Sequence, residues 1–179
     1  MKFSGLKKIF PVIFVTIVVF MAVALLSWTN SVTKDKIEYQ EEQQIQSMLG
    51  EMFPNMNQFT FADDIYTIYC DDGDKLGYAF LALGKGYGGD ISILVGLENE
   101  TIIKGISIIS QKETPGLGVR ISENSFMDEF AGLSIDDIAL RREGGQIDAI
   151  TGATISSGAV VDAVRTTAME KVKSLKEGN

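Results

Sequence analysis

Between Ile9 and Trp28 the chain reads IFPVIFVTIVVFMAVALLSW, twenty residues without a charge. A helix of about 20 apolar residues matches the hydrocarbon core of a bilayer, so this run fixes one element before anything else is read. Pro11 is expected in its first turn, where a missing N–H costs little. The run is longer than the apolar region of a cleaved signal peptide, roughly 7–15 residues. It closes on Trp28, the residue type that anchors at an interface, and has no cysteine at its boundary for lipidation. The expectation is an uncleaved transmembrane helix over 9–29.

Lys2, Lys7 and Lys8 precede the run with no acid among them, whereas Lys34 and Lys36 beyond it are mixed with Asp35, Glu38, Glu41 and Glu42. That asymmetry predicts a single-pass plasma-membrane protein with residues 1–8 cytoplasmic and the remainder extracytoplasmic. Three of the sixteen basic residues and none of the twenty-four acidic ones lie before Asn30, which leaves the exported part at −11. Such a surface disfavours nucleic acid and anionic lipid as partners.

The absences narrow the chemistry. The chain has no histidine and one cysteine, Cys70. Histidine-ligated haem or metal, Ser-His and Cys-His nucleophiles, a disulfide within the chain, thiolate clusters and structural zinc are all excluded. Any redox group has to be an organic cofactor. Cys70, in the alternating run IYTIYC, is expected to be a buried core residue.

Past the span, Ile37, Ile45, Met48, Leu49 and Met52 recur at helical spacing and predict a helix over about 34–52, stopped near Pro54. We read residues 30–60 as a juxtamembrane helix and linker and 61–179 as one folded domain. From Tyr66 to Gln111, strand-like runs alternate with short turns, DDGD and ENET, which predicts an antiparallel meander. The glycines at 84, 86, 88 and 89 signal a bulge or a close backbone approach. NSFMDEFAGL reads as a short helix with Ser125 as a possible cap. SIDDIALRREGGQIDAI reads as an edge strand followed by a strand-like IDAI. Val160, Val164, Ala168 and Val172, spaced by four, describe an amphipathic final helix. The fold class is α+β, one sheet covered by helices.

The most pointed stretch is DAITGATISSGAVVDAVR, Asp148 to Arg165. Its hydroxyls and small residues sit just ahead of the last helix. Thr154, Ser156 or Ser157 can cap that helix, with Gly152 and Gly158 easing the turn. The same geometry also makes a phosphate site. A helix N-terminus offers free N–H groups and partial positive charge, small residues leave room, and hydroxyls donate further bonds. A Walker loop is ruled out by the missing Gly-Lys-Ser/Thr, and a dinucleotide fingerprint by the missing GxGxxG.

Asp148-Ala149-Ile150-Thr151-Gly152-Ala153-Thr154 resembles D-x-x-[S/T]-G-A-T of the FMN-binding domain family. Glu113-Thr114-Pro115-Gly116-Leu117-Gly118 matches that family's second segment, E-T-P-G-L-G, in the right order. The resemblance implies FMN joined by a flavin transferase, through its phosphate, to the hydroxyl of Thr154. Asp148, Thr151, Gly152 and Ala153 would complete the attachment motif. Ile155, Ser156 and Ser157 would hold the phosphate, and Glu113 to Gly118 would line the ring or ribityl side. Members often carry a histidine shortly before the second segment; here Gln111-Lys112 stands there, so no imidazole role carries over.

Within the family the resemblance is to flavin subunits of Rnf-type ion-translocating electron-transport complexes. Other membrane subunits of such a complex would be the partners. A flavin-carrying subunit of the sodium-pumping NADH:quinone reductase shares the motif but is typically longer. The implied role is an electron relay, since no group suits a hydride-transfer substrate. The alternatives are the flavin subunit of a quinone reductase, another extracytoplasmic flavoprotein, or a membrane-tethered scaffold without cofactor.

Overall fold

The computed structural model describes residues 4–177, in two compact units, one ending at Gln43 and one starting at Gln44. The described residues of the first are helical throughout. It belongs to helix α1, Ser4–Met52, within which Phe10–Thr29 is long and apolar enough to cross a membrane. Every side chain from Phe10 to Thr29 is exposed, as a lipid-facing helix requires. Because α1 begins at Ser4, Pro11 lies inside the helix and not in its first turn, and one intrahelical bond is missing there. Lys2 lies outside the described residues, as do the side chains of Lys7, Lys8, Lys34, Lys36 and Ile37, among those that carry the expected orientation and helical spacing.

The second unit opens on the last turns of α1. The helix stops at Met52 because Phe53 precedes Pro54, and a residue before proline is pushed out of the helical region. Five strands follow: β1 Gln58–Ala62, β2 Ile65–Tyr69, β3 Lys75–Lys85, β4 Asp90–Leu97 and β5 Ile103–Ser110. They pair antiparallel in chain order, the expected meander.

Strand β1 lies outside the expected strands. It turns into β2 through Asp63-Asp64, both left-handed at φ 53° and 58°, with Ala62 paired to Ile65. That two-residue turn matches the twist of a hairpin, and Asp tolerates the conformation better than most residues. Cys70 is half-buried, contrary to expectation. It sits past the end of β2, its N–H bonded to the Asp74 carbonyl at 3.0 Å, so it opens a turn instead of filling the core.

Both faces of the sheet are covered. One carries the main core: Phe80, Ala82, Ile91, Ile93 and Val95 against the final helix and the loops before it. On the other, Leu49 and Phe53 pack on Ile68, Ala79 and Leu94. The end of α1 is therefore part of the same compact unit as the sheet.

After β5 the chain is mostly turns. Helix α2 spans Asn124–Met127 and continues as a 3-10 turn to Phe130, with Phe126 edge-on to Phe130 at 5.5 Å. Ser125 lies inside α2 and caps nothing; Glu123 precedes the helix without a side-chain cap. The strands expected between Ser134 and Ile150 do not form. Ile135, Ile138, Leu140 and Ile147 are buried, but from 3-10 turns and a single parallel bridge between Leu140 and Ile147. Gly144, left-handed at φ 90°, folds the segment back too soon for a ladder. Helix α3, Thr154–Glu177, lies on β3 and β4 with Val160, Val164, Ala168 and Val172 buried, as its spacing predicted. Its Lys171 donates to the Asp63 carbonyl at 3.2 Å and pins the β1–β2 turn.

Candidate functional site

The two motifs meet at the N-terminus of α3. A cleft of about 590 Å3 takes Glu113, Thr114, Leu117 and Gly118 from the 113–118 segment, Gly152, Ala153 and Thr154 from the 148–154 motif, and Ile155 and Ser156 just after it. That volume falls in the range of ligand pockets, roughly 300–1,000 Å3. The remaining lining residue is Tyr87, from the loop between β3 and β4. Neither motif includes it. Its signal in the sequence is an aromatic set among the glycines of GKGYGG; in the structure it is 75% accessible.

The floor of the cleft is the first turn of α3. The first main-chain bond of the helix runs from Ser157 N–H to the Ala153 carbonyl at 2.9 Å. The N–H groups of Thr154, Ile155 and Ser156 precede it and have no main-chain acceptor among the described residues. None of the hydroxyls acts as the expected cap. Ser157, fully buried, accepts from Ile150 N–H at 3.0 Å and donates to the Ala153 carbonyl at 3.0 Å. Ser156 donates to Glu113 Oε2 at 2.6 Å. Thr154 is half-buried, lines the cleft, and its hydroxyl bonds to no described residue. Gly152 precedes this turn at φ 82°, a conformation that favours glycine, and the Leu117 side chain packs on it.

Other motif residues stand apart. Pro115 and Gly116 form the exposed turn, φ 77° at Gly116, and do not line the cleft. Asp148 and Thr151 border a separate hollow with Arg120, Glu123 and Glu129. Asp148 is ion-paired with Arg141 at 2.5 and 3.1 Å, and its N–H donates to Glu129 Oε2 at 2.6 Å. The bond from Arg141 holds the Asp148 carboxyl below its usual range, and Asp148 in turn raises the Arg141 guanidinium. These bonds hold the strap that ends in Gly152. Gln111 accepts Glu113 N–H through Oε1 at 2.6 Å, so a neutral side chain braces the segment.

The arrangement suits a phosphate-bearing cofactor. Three N–H groups without an acceptor among the described residues stand at a helix N-terminus, the donors that an anion can engage. A free hydroxyl stands on the first helical residue, and an apolar rim of Leu117, Ile155 and Tyr87 offers surface to a ring system. Among the described residues, no group of His, Cys, Asp or Glu could hold a metal ion.

Comparison with known proteins agrees with this geometry. The FMN-binding domain family model matches residues 86–168, which takes in the Tyr87 loop and both motifs. The chain is 34% identical over 169 residues to the G subunit of the ion-translocating oxidoreductase complex of Aliivibrio fischeri, covering 80% of each. It is 35% identical over 176 residues to the corresponding G subunit of Methanosarcina acetivorans, covering 90% of this chain and 93% of the relative. Among solved structures, Shewanella oneidensis NqrC superimposes at a TM-score of 0.50 with 19% identity, over 69% of this chain and 74% of the other. The NqrC-type subunit of the Na+-translocating NADH-quinone reductase of Parabacteroides distasonis also gives 0.50, with 25% identity over 60% and 61%. Fold and cleft define an FMN-binding domain preceded by one apolar helix. The chain belongs to the family of G subunits of ion-translocating oxidoreductase complexes.

Proposed function

We propose that this chain is the FMN-carrying electron-transfer subunit of an Rnf-type ion-translocating complex, with FMN held covalently as a phosphoester on Thr154. The observation that carries the reading is the convergence of two motifs, 113–118 and 148–154, on one cleft in which Thr154 alone of the four hydroxyls between residues 151 and 157 lines the cleft with no partner among the described residues. Thr151 faces the other hollow, Ser156 is taken by Glu113, and Ser157 is spent on Ile150 and Ala153.

When bound, the flavin supplies one- and two-electron transfer. The chain's residues bind and orient it. The N–H groups of Thr154, Ile155 and Ser156 would receive the phosphate, the Thr154 oxygen would tether it, and Leu117, Ile155 and Tyr87 would flank the ring. The chain would act as a relay between other membrane subunits. A separate flavin transferase would make the attachment. The 9–29 helix would anchor the chain with residues 1–8 in the cytoplasm and the flavin domain, preceded by the 30–60 segment, outside.

Intact mass of the chain from its own membrane, with peptide mapping, tests the reading. A gain equal to FMN less one water on Thr154 supports it. An unmodified Thr154 in protein that matured with its transferase refutes the covalent assignment.

A further inference from the structure

Glu113 is the single charged side chain buried among the described residues, 6% accessible. A buried carboxylate is costly unless its oxygens are hydrogen-bonded. Here both are used, and by different parts of the chain. Oε1 accepts from Gly88 N–H at 2.9 Å, and Oε2 accepts from the Ser156 hydroxyl at 2.6 Å. The packing around it leaves no slack. A Cβ at Gly86 would collide with Oε1, and one at Gly118 would sit 2.5 Å from Oε2. Two glycines thus make the slot that the carboxylate fills.

One carboxylate therefore ties together the 86–89 loop, the 113–118 segment and the first turn of α3. Gly88 follows Tyr87 on one wall of the cleft, and Ser156 lies two residues from Thr154 on its floor. We infer that Glu113 is a positioning residue: it sets the gap between the Tyr87 wall and the Thr154 turn, into which the flavin fits. The inference rests on the flavin reading above. Glu113 acts through geometry, by two hydrogen bonds, so a neutral group able to make both can replace it. Glutamine can, accepting from Gly88 N–H through its oxygen and donating to Ser156 Oγ through its nitrogen. Alanine cuts both links.

The test uses the full chain in detergent on a Thr154→Ala background, titrated with free FMN and read by flavin fluorescence. The expected result is binding by this parent, affinity within about threefold for Glu113→Gln, and a loss of roughly tenfold or more for Glu113→Ala, the scale on which supporting hydrogen bonds act at bound groups. Adding Tyr87→Ala should weaken the parent but change the Glu113→Ala protein little, because the loop is already released. If Glu113→Ala does not fold by thermal melting, Ser156→Ala severs one link and should still bind more weakly than Glu113→Gln. Equal binding by the parent and Glu113→Ala, or by the parent and Ser156→Ala where the latter stands in, overturns the inference alone. So does an equal Tyr87→Ala effect in both backgrounds. A folded parent that does not bind FMN overturns the inference together with the flavin reading.

Discussion

Ser157 holds Ile150 across the turn that leads into α3: its hydroxyl accepts the Ile150 N–H at 3.0 Å while donating to the Ala153 carbonyl at 3.0 Å. The side chain is fully buried, so no water can replace it. Ser157→Ala leaves a part-buried N–H without its partner and should cost about 1–3 kcal/mol, measured by denaturant unfolding. Ser174→Ala, which removes an exposed bond of 3.3 Å within α3, should fall within about 0.5 kcal/mol of the native protein.

Gly152 and Gly158 flank the same turn and should respond in opposite ways. At φ 82° and with Leu117 Cδ2 only 3.0 Å from where a Cβ would stand, Gly152→Ala should destabilise by about 1–2 kcal/mol and lower flavin loading with it. Gly158 is helical, with its nearest neighbour at 3.8 Å from the built Cβ. Gly158→Ala should raise the melting temperature, by up to about 1 kcal/mol of stability.

Thr154→Ala should abolish covalent flavin and leave the fold intact, since no described residue relies on that hydroxyl. The readouts are an intact mass without the flavin adduct and an unchanged melting curve, measured on protein matured beside its transferase. A retained adduct would mean that a different oxygen carries the flavin.

The Arg141–Asp148 pair predicts a pH effect of known sign. Its folded-state carboxyl titrates below the unfolded value because Arg141 bonds the ionised form. The stabilisation is therefore complete above the ordinary aspartate range, near 3.8, and is lost as pH falls through the depressed folded value. Both side chains are exposed, so the effect is small and screened by salt. Arg141→Met should return the Asp148 titration, followed by NMR, to the ordinary range. An unchanged titration would refute the pairing in solution.

The end of α1 should prove necessary to the domain. Phe53 is 3% accessible and packs with Leu49 on Ala79 and Leu94. Phe53→Ala should cost about 3–5 kcal/mol. A fragment beginning at Gln44 should fold and unfold cooperatively, whereas one beginning at Gln58 should expose this face and bind a hydrophobic dye.

The parts of this structure that the sequence disclosed are those with a single physical reading. The four-residue spacing of Val160, Val164, Ala168 and Val172 fits only a one-sided helix, and all four are buried. Strands β3 and β4 are legible from their turns, because GYAF and ILVGL, covered on both faces, show little alternation. Strand β1 is hidden for the opposite reason: in QFTFA only Phe59 is even half-buried, and the Asp63-Asp64 turn is its one strong sign. Between Ser134 and Ile150 the buried isoleucines imitate a strand, yet nothing in their spacing tells a 3-10 turn from an edge. At the site, both motifs are readable as glycines and hydroxyls. The burial of Glu113 depends on partners 25 and 43 residues distant, and the departure of Asp148 on Arg141 seven residues away and Glu129 nineteen away, which no local pattern records.

Strands β1 to β5 each pair with their chain neighbour, so the sheet forms through contacts local in sequence, which favour rapid assembly. The turn that leads into α3 is different in kind. Its shape depends on α3 settling on β3 and on Ser156 reaching back to Glu113, so it appears only after the chain's final helix has arrived. The hydroxyl of Thr154 is thus a feature of the finished domain and not of the sequence around it. An unfolded chain, or a short peptide spanning residues 148–165, carries the same letters without presenting the acceptor. On the proposed reading, a flavin transferase meets a checkpoint here: only correctly assembled molecules display the Thr154 hydroxyl.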